Sequence, residues 1–510
     1  MKRSFWNKPK KAAAVILSML FLLGAAACEK EPEAPVETTS GTSSELTEST
    51  SLQGSITVPY TSLDSVNPFF ADSLLNTSLT SLAFDALYYL DSGFTPVRLL
   101  AANETVTPQT IRVELLPDAV FSDGTPLTPA DVIYSFRAAK TAPMYKTSLK
   151  NVASCEEAEG RAVVFTMSDP DVNACNLLTF PIVKTGTAED EDSLPVGTGC
   201  YVFAKDELRL SFVANARRTL GVPSIGTVRL YDVTDASSLM HLLNTGEIDC
   251  YYTDLADGTA KRSYAGTGEV YLNNLVYLGV NADSYRLGTP DLRKAISAAI
   301  SRSGVAQNAF LSHARSTLYP FNSSWDPLYA SGDVPDARDS DPLGADAILK
   351  EMNAGTTGDT LHYTLVARED LGFAANAAQQ IARDLEAVNV DMQIRLLGEE
   401  DYKKALEEQA FDFYIGEIKL TKNMDLSAFF TPDGAAVYGM DLETLGVDEQ
   451  YARYAAGEME LKDFLYAFSE SMPFIPLVFR NGEFCYSNTV KSRVETTEER
   501  LFLNIADWQV

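Results

Sequence analysis

The chain has 510 residues, with 70 acidic against 41 basic side chains and a formal net charge of −29. An acid excess of that size excludes nucleic acid as a partner and disfavours broad contact with anionic lipid, because both are bound through Lys and Arg that neutralise phosphates. With 45% hydrophobic residues the chain can bury large cores, and its length allows two or three domains.

Residues 1–27 read as a lipoprotein signal peptide. Lys2, Arg3, Lys8, Lys10 and Lys11 precede residues 12–27, an uncharged apolar run of sixteen residues, shorter than the roughly twenty that a spanning helix needs. Ala25-Ala26-Ala27-Cys28 resembles the lipobox of bacterial lipoproteins, in which the Cys is lipidated and becomes the new N-terminus. Two or more acyl chains hold a protein stably on a membrane. An uncleaved anchor and an ordinary secretory signal are the alternatives, and both export the chain. Residues 28–54 are rich in Glu, Thr, Ser and Pro. Such a segment cannot bury enough apolar surface to offset its ordering entropy, which predicts a disordered acidic tether. A tether of this kind suits the outer face of a single-membrane envelope.

The body alternates strand and helix signals. Ser55–Tyr60 is a predicted strand, residues 79–90 are helix-like, and Thr110–Leu115 alternates apolar and polar as a half-buried strand does. Asp123-Gly124 is a turn, and Thr128 caps a helix with Pro129 at its first position. Asp131 completes a capping box, with Val132, Phe136 and Ala139 on one face. Gly246 stops a helix. Leu292, Ala295, Ile296, Ala299 and Ile300 fall at helical spacing, 361–366 is a strand, and 374–388 is a helix carrying Ile381, Leu385 and Val388.

Beyond Cys28 there are five cysteines, Cys155, Cys175, Cys200, Cys250 and Cys485. An odd number without CxxC spacing is no disulfide framework, although one bridge such as Cys155 to Cys175 stays open. His241, His313 and His362 belong to different predicted elements, and no HExxH or HxH occurs, so no metal site and no cofactor is expected. The chain lacks GxSxG, a Walker loop and a GxGxxG opening a helix after a strand, which argues against an enzyme. Gly197-Thr-Gly199-Cys200 reads as a tight turn rather than a Cys nucleophile, because no His lies close in sequence.

The run FSDGTPLTPADVIYSF at 121–136 resembles family 5 of the bacterial ABC-transporter solute-binding proteins, the peptide, dipeptide and nickel binders. So do PVGTGCYVF at 195–203, where Cys200 replaces a usual Pro, LLNTGEID at 242–249, the spacing of Arg293 and Arg302, the helical stretch 341–355, and MPFIPL at 472–477. The resemblance covers about residues 55–508. It implies an α/β, two-lobed periplasmic-binding-protein-like fold (type II, cluster C). Lobe I would hold 55–80, 195–270 and 475–510, with an extra subdomain inserted at 81–194, and lobe II would hold 271–474. Crossings near 270 and 474 would be the hinge, with ligand in the cleft between the lobes.

The resemblance also implies the site. Asp425 precedes Phe429-Phe430 as the family's amine-binding Asp precedes its own aromatic, and Arg368 follows a strand where dipeptide binders carry an Arg for the ligand carboxylate. Each has a plainer reading, a loop carboxylate or cap for Asp425 and a local ion pair for Arg368. The stretch 416–430 departs from the family by losing a Trp and two Pro and gaining Lys419 and Lys422. Tyr251, Tyr252, Trp325 and Tyr438 are candidates for cleft or core. The implied function is a monomeric, lipid-anchored solute-binding component of an ABC importer that captures oligopeptides or another small polar ligand. It would deliver them to a permease with its ATPase subunits. The alternatives are a receptor lipoprotein that signals without transport, and a binder of a non-peptide solute such as an oligosaccharide or chelated metal.

Overall fold

The computed structural model of the chain describes residues 54–206, 209–255, 266–330 and 339–510. The predicted leader, Cys28 and all but the last residue of the tether lie outside the described residues. The rest is a two-lobed α/β protein. In the first lobe Ser55–Tyr60 pairs in parallel with Thr227–Asp232, and Arg209–Ala214 and Tyr201–Asp206 extend that sheet antiparallel. Ile56 and Val58 point into its core, which is completed from the far end of the chain by Leu501, Phe502, Ile505 and Trp508.

Between these strands sits an antiparallel sheet in the order Ala101–Val106, Thr110–Leu115, Ala162–Met167, Val152–Ala158. Ile111, Val113 and Leu115 are buried, as the alternation required. The helix Pro129–Ala139 begins where Thr128 and Asp131 place it, with the Thr128 N–H donating to Asp131 Oδ2 at 2.9 Å. The other Asp131 oxygen accepts from the Thr185 N–H at 2.9 Å and hydroxyl at 2.8 Å, so one cap also pins the returning chain.

Residues 79–90 differ from the sequence expectation. Helix ends at Ala83, Phe84 is extended at φ −129° and ψ 126°, and Tyr88–Leu90 is a strand paired with Pro96–Arg98. The cause is non-local. Asp85, 1% exposed, is held by Arg218 Nη2 at 3.1 Å and Arg500 Nη2 at 3.2 Å, and a buried carboxylate keeps its place only when so paired. Gly197 and Gly199 serve close approach. The Gly199 N–H donates to Ala83 O at 3.0 Å, and a Cβ at either glycine would collide with the Ala83 backbone. Cys200 is buried beside them, and burial pushes its thiol up, away from the thiolate a nucleophile needs. All five described cysteines are free, so Cys155 and Cys175 form no bridge.

In the second lobe Val390–Leu397 and Leu361–Arg368 run parallel, and Leu361–Arg368 pairs in parallel with Phe413–Lys419. The helices Pro290–Ala299, Arg302–Phe310 and Gly372–Glu386 contribute to the core of this lobe. Arg293 and Arg302 are buried donors to main-chain carbonyls. Arg293 reaches Ser471 and Met472, and Arg302 reaches Pro476, which fixes the chain as it leaves the lobe. Burial lowers both guanidinium pKa values to about 10.

Two long antiparallel strands, Gly266–Val280 and Ile475–Tyr486, run through both halves. At one end Ile475–Tyr486 pairs with Cys250–Thr253, and at the other Gly266–Val280 pairs with Phe413–Lys419. Their mutual register breaks between Tyr271↔Asn481 and Leu275↔Phe479. Asn273 fills the break. Its Nδ2 donates to Leu420 O at 3.2 Å and Thr421 O at 2.9 Å, and its carbonyl accepts from the Leu420 N–H at 2.9 Å. Opposite, Arg480 donates to Glu417 Oε1 at 2.5 Å and to Asp254 O at 2.8 Å. Among the described residues no helix is long and apolar enough to cross a membrane.

Candidate ligand-binding cleft

A cleft of about 1100 Å³ opens beside the break in the strand pair. Its walls include residues between 72 and 94, Tyr145, Thr179, Tyr252 and the segment 493–501 on the first-lobe side, residues between 268 and 274 of the strand pair, and residues 419–422 of the second lobe. That volume is just above the usual range for small-molecule sites.

The first-lobe wall is a turn. Thr497 and Arg500 exchange backbone hydrogen bonds at 3.1 and 3.2 Å, which sets Glu498 and Glu499 at the tip. Its base is fixed by the buried Arg500–Asp85–Arg218 cluster. The second-lobe wall follows the end of Phe413–Lys419, and its carbonyls are held by Asn273 and by Asn176 Nδ2, which donates to Lys422 O at 3.0 Å.

Across the cleft the walls meet in two ion pairs, Lys419 with Glu498 and Lys422 with Glu499. The outer pair is half open to solvent, with side-chain exposures of 61% and 20%. The inner pair is less exposed, at 25% and 18%. Thr179 Oγ1 bridges the inner pair, accepting from Lys422 Nζ at 2.6 Å and donating to Glu499 Oε1 at 3.2 Å. The Lys422 ammonium lies 5.8 Å from the centre of the Tyr145 ring, a favourable cation–π distance. Burial, with Glu499 nearby, pushes the Tyr145 phenol up; burial, with Glu498 and Asp254 nearby, does the same to Tyr252. Both phenols stay neutral and able to donate.

A second contact joins residues 171–173 to residues 423–455. Asp171 is buried and accepts from Asn423 Nδ2 at 2.7 Å and from the Asn173 N–H at 2.8 Å. Asn173 Nδ2 reaches the Tyr454 hydroxyl at 3.1 Å, and the Val172 N–H donates to Ala455 O at 3.0 Å. Burial, with Asp425 nearby, raises the Asp171 pKa to about 6.

Neither residue singled out for the ligand is among the described residues lining the cleft. Asp425 accepts from the Ser427 N–H at 2.9 Å, the Ser427 hydroxyl at 2.6 Å and the Tyr451 hydroxyl at 2.8 Å, so it closes an Asx turn just before the short helix Ser427–Phe430. Arg368 forks onto Asp370 at 3.0 and 2.5 Å and reaches Glu399 at 3.1 Å. Of the aromatics, Tyr252 lines the cleft, whereas Trp325 lies in the core with Tyr438 packed against it, and Tyr251 lies in a small cluster with Cys485. Lys419 and Lys422 entered the sequence reading only as departures from a pattern. Glu498 and Glu499 gave no signal there.

A profile of bacterial extracellular solute-binding proteins, family 5 Middle, matches residues 95–435. A Brucella ovis relative named for peptide binding in an ABC transporter is 23% identical over 318 residues, 58% of this chain and 59% of its own length. The glutathione-binding protein GsiB of Escherichia coli is 24% identical over 355 residues, 65% of this chain and 68% of its own. In structure, a nickel ABC transporter protein from Bacillus halodurans superposes with a TM-score of 0.73 at 18% identity, covering 90% of this chain and all of that one.

Proposed function

The chain belongs to the family 5 bacterial extracellular solute-binding proteins, and from that premise we propose that it captures short peptides in the cleft and delivers them to an ABC permease with its ATPase subunits. It does so outside the cytoplasm, as a monomer held on the membrane by lipid on Cys28. The observation that carries the peptide reading is the cleft's charge pattern, in which lysines on one lobe face glutamates on the other. A peptide of any sequence has an ammonium at one end and a carboxylate at the other, so these paired groups of opposite sign suit a ligand recognised by its ends. Relatives named for peptides and for glutathione point the same way.

The mechanism follows from the strand pair. The lobes rotate about the register break at 272–274 and its partner Arg480, and ligand contacts made to both lobes at once supply the free energy of closure. Mass spectrometry of what co-purifies with the protein, under native conditions and after denaturation, tests this. A ladder of peptide masses supports the reading. A single non-peptide mass, or no bound mass, overturns it in favour of a specialised solute or a signalling role.

A further inference from the structure

The two ion pairs join parts of the chain that lie more than seventy residues apart in sequence, and their charges are sorted by side. Both ammonium groups belong to the second lobe and both carboxylates to the turn at the end of the first. A ligand that enters between these lysines and glutamates separates the partners. An uncharged ligand would strand four charges in a narrow, partly desolvated gap, where an unpaired charge is costly. A zwitterion replaces each lost partner with one of its own charges. We propose that Glu498 and Glu499 receive the ligand's ammonium and that Lys419 and Lys422 receive its carboxylate, so that a bound peptide lies with its N-terminus on the first lobe and its C-terminus on the second. This rests on the peptide reading above.

Three features support the assignment beyond the charges. The glutamates are presented by a turn bolted down through Arg500 to buried Asp85, and the lysine loop is held through its carbonyls by Asn273 and Asn176. Charged groups on fixed supports lose little entropy when they take a new partner. Thr179, already touching both members of the inner pair, can accept from a ligand ammonium or donate to a ligand carboxylate without moving between walls. The Tyr145 ring beneath Lys422 keeps that ammonium oriented into the cavity when Glu499 is taken by ligand.

The test uses an equimolar library of random tri- to pentapeptides in three forms, with free termini, N-acetylated, and C-amidated, and native mass spectrometry as the readout of binding. The wild-type protein is expected to bind the free form at least about tenfold better than either blocked form, the range for a hydrogen bond to a charged group. Glu498→Gln/Glu499→Gln should lose discrimination against N-acetylation and keep discrimination against C-amidation. Lys419→Met/Lys422→Met should do the reverse. If these pairs merely held the lobes together, both variants would change all three forms alike, and that result overturns the assignment. So does a wild type that binds all three forms equally, a measurement that needs no variant to fold. A wild type that binds no peptide in any form refutes the peptide reading itself, and the assignment falls with it.

Discussion

Replacing Asp171 with Asn probes its buried contact with Asn423. In the native protein this carboxyl titrates near 6, against a usual value of 3.8, chiefly because it is buried and secondarily because the Asp425 carboxylate is close. A raised native pKa favours the folded state in full below pH 3.8 and withdraws that contribution as pH climbs through about 6. The rise corresponds to about 3 kcal/mol. Asp171→Asn cannot titrate, and it turns one acceptor facing Asn423 or Asn173 into a donor, a cost that does not vary with pH. The informative quantity is therefore the slope. The stability of the variant relative to wild type, from denaturant curves at a series of pH values, should rise by about 2–3 kcal/mol between pH 4 and 7.5. A difference that stays flat across that range refutes the argument, because it would mean the carboxyl ionises as freely in the native protein as in the unfolded chain.

Asp85→Ala should destabilise by about 3–5 kcal/mol in denaturant unfolding, since it leaves Arg218 and Arg500 buried side by side without their shared carboxylate. Asp425→Ala should cost about 1–2 kcal/mol of stability through the hydrogen bonds lost from Ser427 and Tyr451 and leave the preference for free-amine peptides unchanged, which competition between free and N-acetylated peptides would check. Gly246→Ala should lower stability by about 1 kcal/mol, because the residue closes its helix at φ 78°, and thermal melts of the two proteins measure it.

What could be read in the sequence was what is settled within a few residues. Thr128, Pro129 and Asp131 fix a helix start by local hydrogen bonding, and Gly246 ends a helix by its own backbone freedom. The alternation of Ile111, Val113 and Leu115 marks a strand face for the same reason. Residues 79–90 misled because their helical spacing is overruled at Asp85 by two arginines that arrive from positions 218 and 500. The cleft failed to show itself on similar grounds. Glu498 and Glu499 sit in a short run of Thr, Glu and Arg that looks like any solvated turn, and only the return of the C-terminal segment to the first lobe brings them to Lys419 and Lys422. Asp425 stood out through its spacing from Phe429 and Phe430, but spacing along the chain does not say which wall a side chain serves. Here its oxygens are taken by Ser427 and Tyr451.

The core of the first lobe joins Ile56 and Val58 to Phe502, Ile505 and Trp508, which sets the order in which the protein can be completed. A chain that emerges N-terminus first must carry its opening strand through more than four hundred residues of synthesis before the side chains that seal it arrive. The second lobe waits nearly as long, since Ile475, Leu477 and Val478 belong to its core. The antiparallel sheet from Ala101 to Met167, whose strand pairings all lie within a stretch of under seventy residues, is the part free to fold early. A truncation of even the last ten residues therefore removes Trp508 from a core begun at residue 56, leaving a nearly full-length chain that cannot close its first lobe.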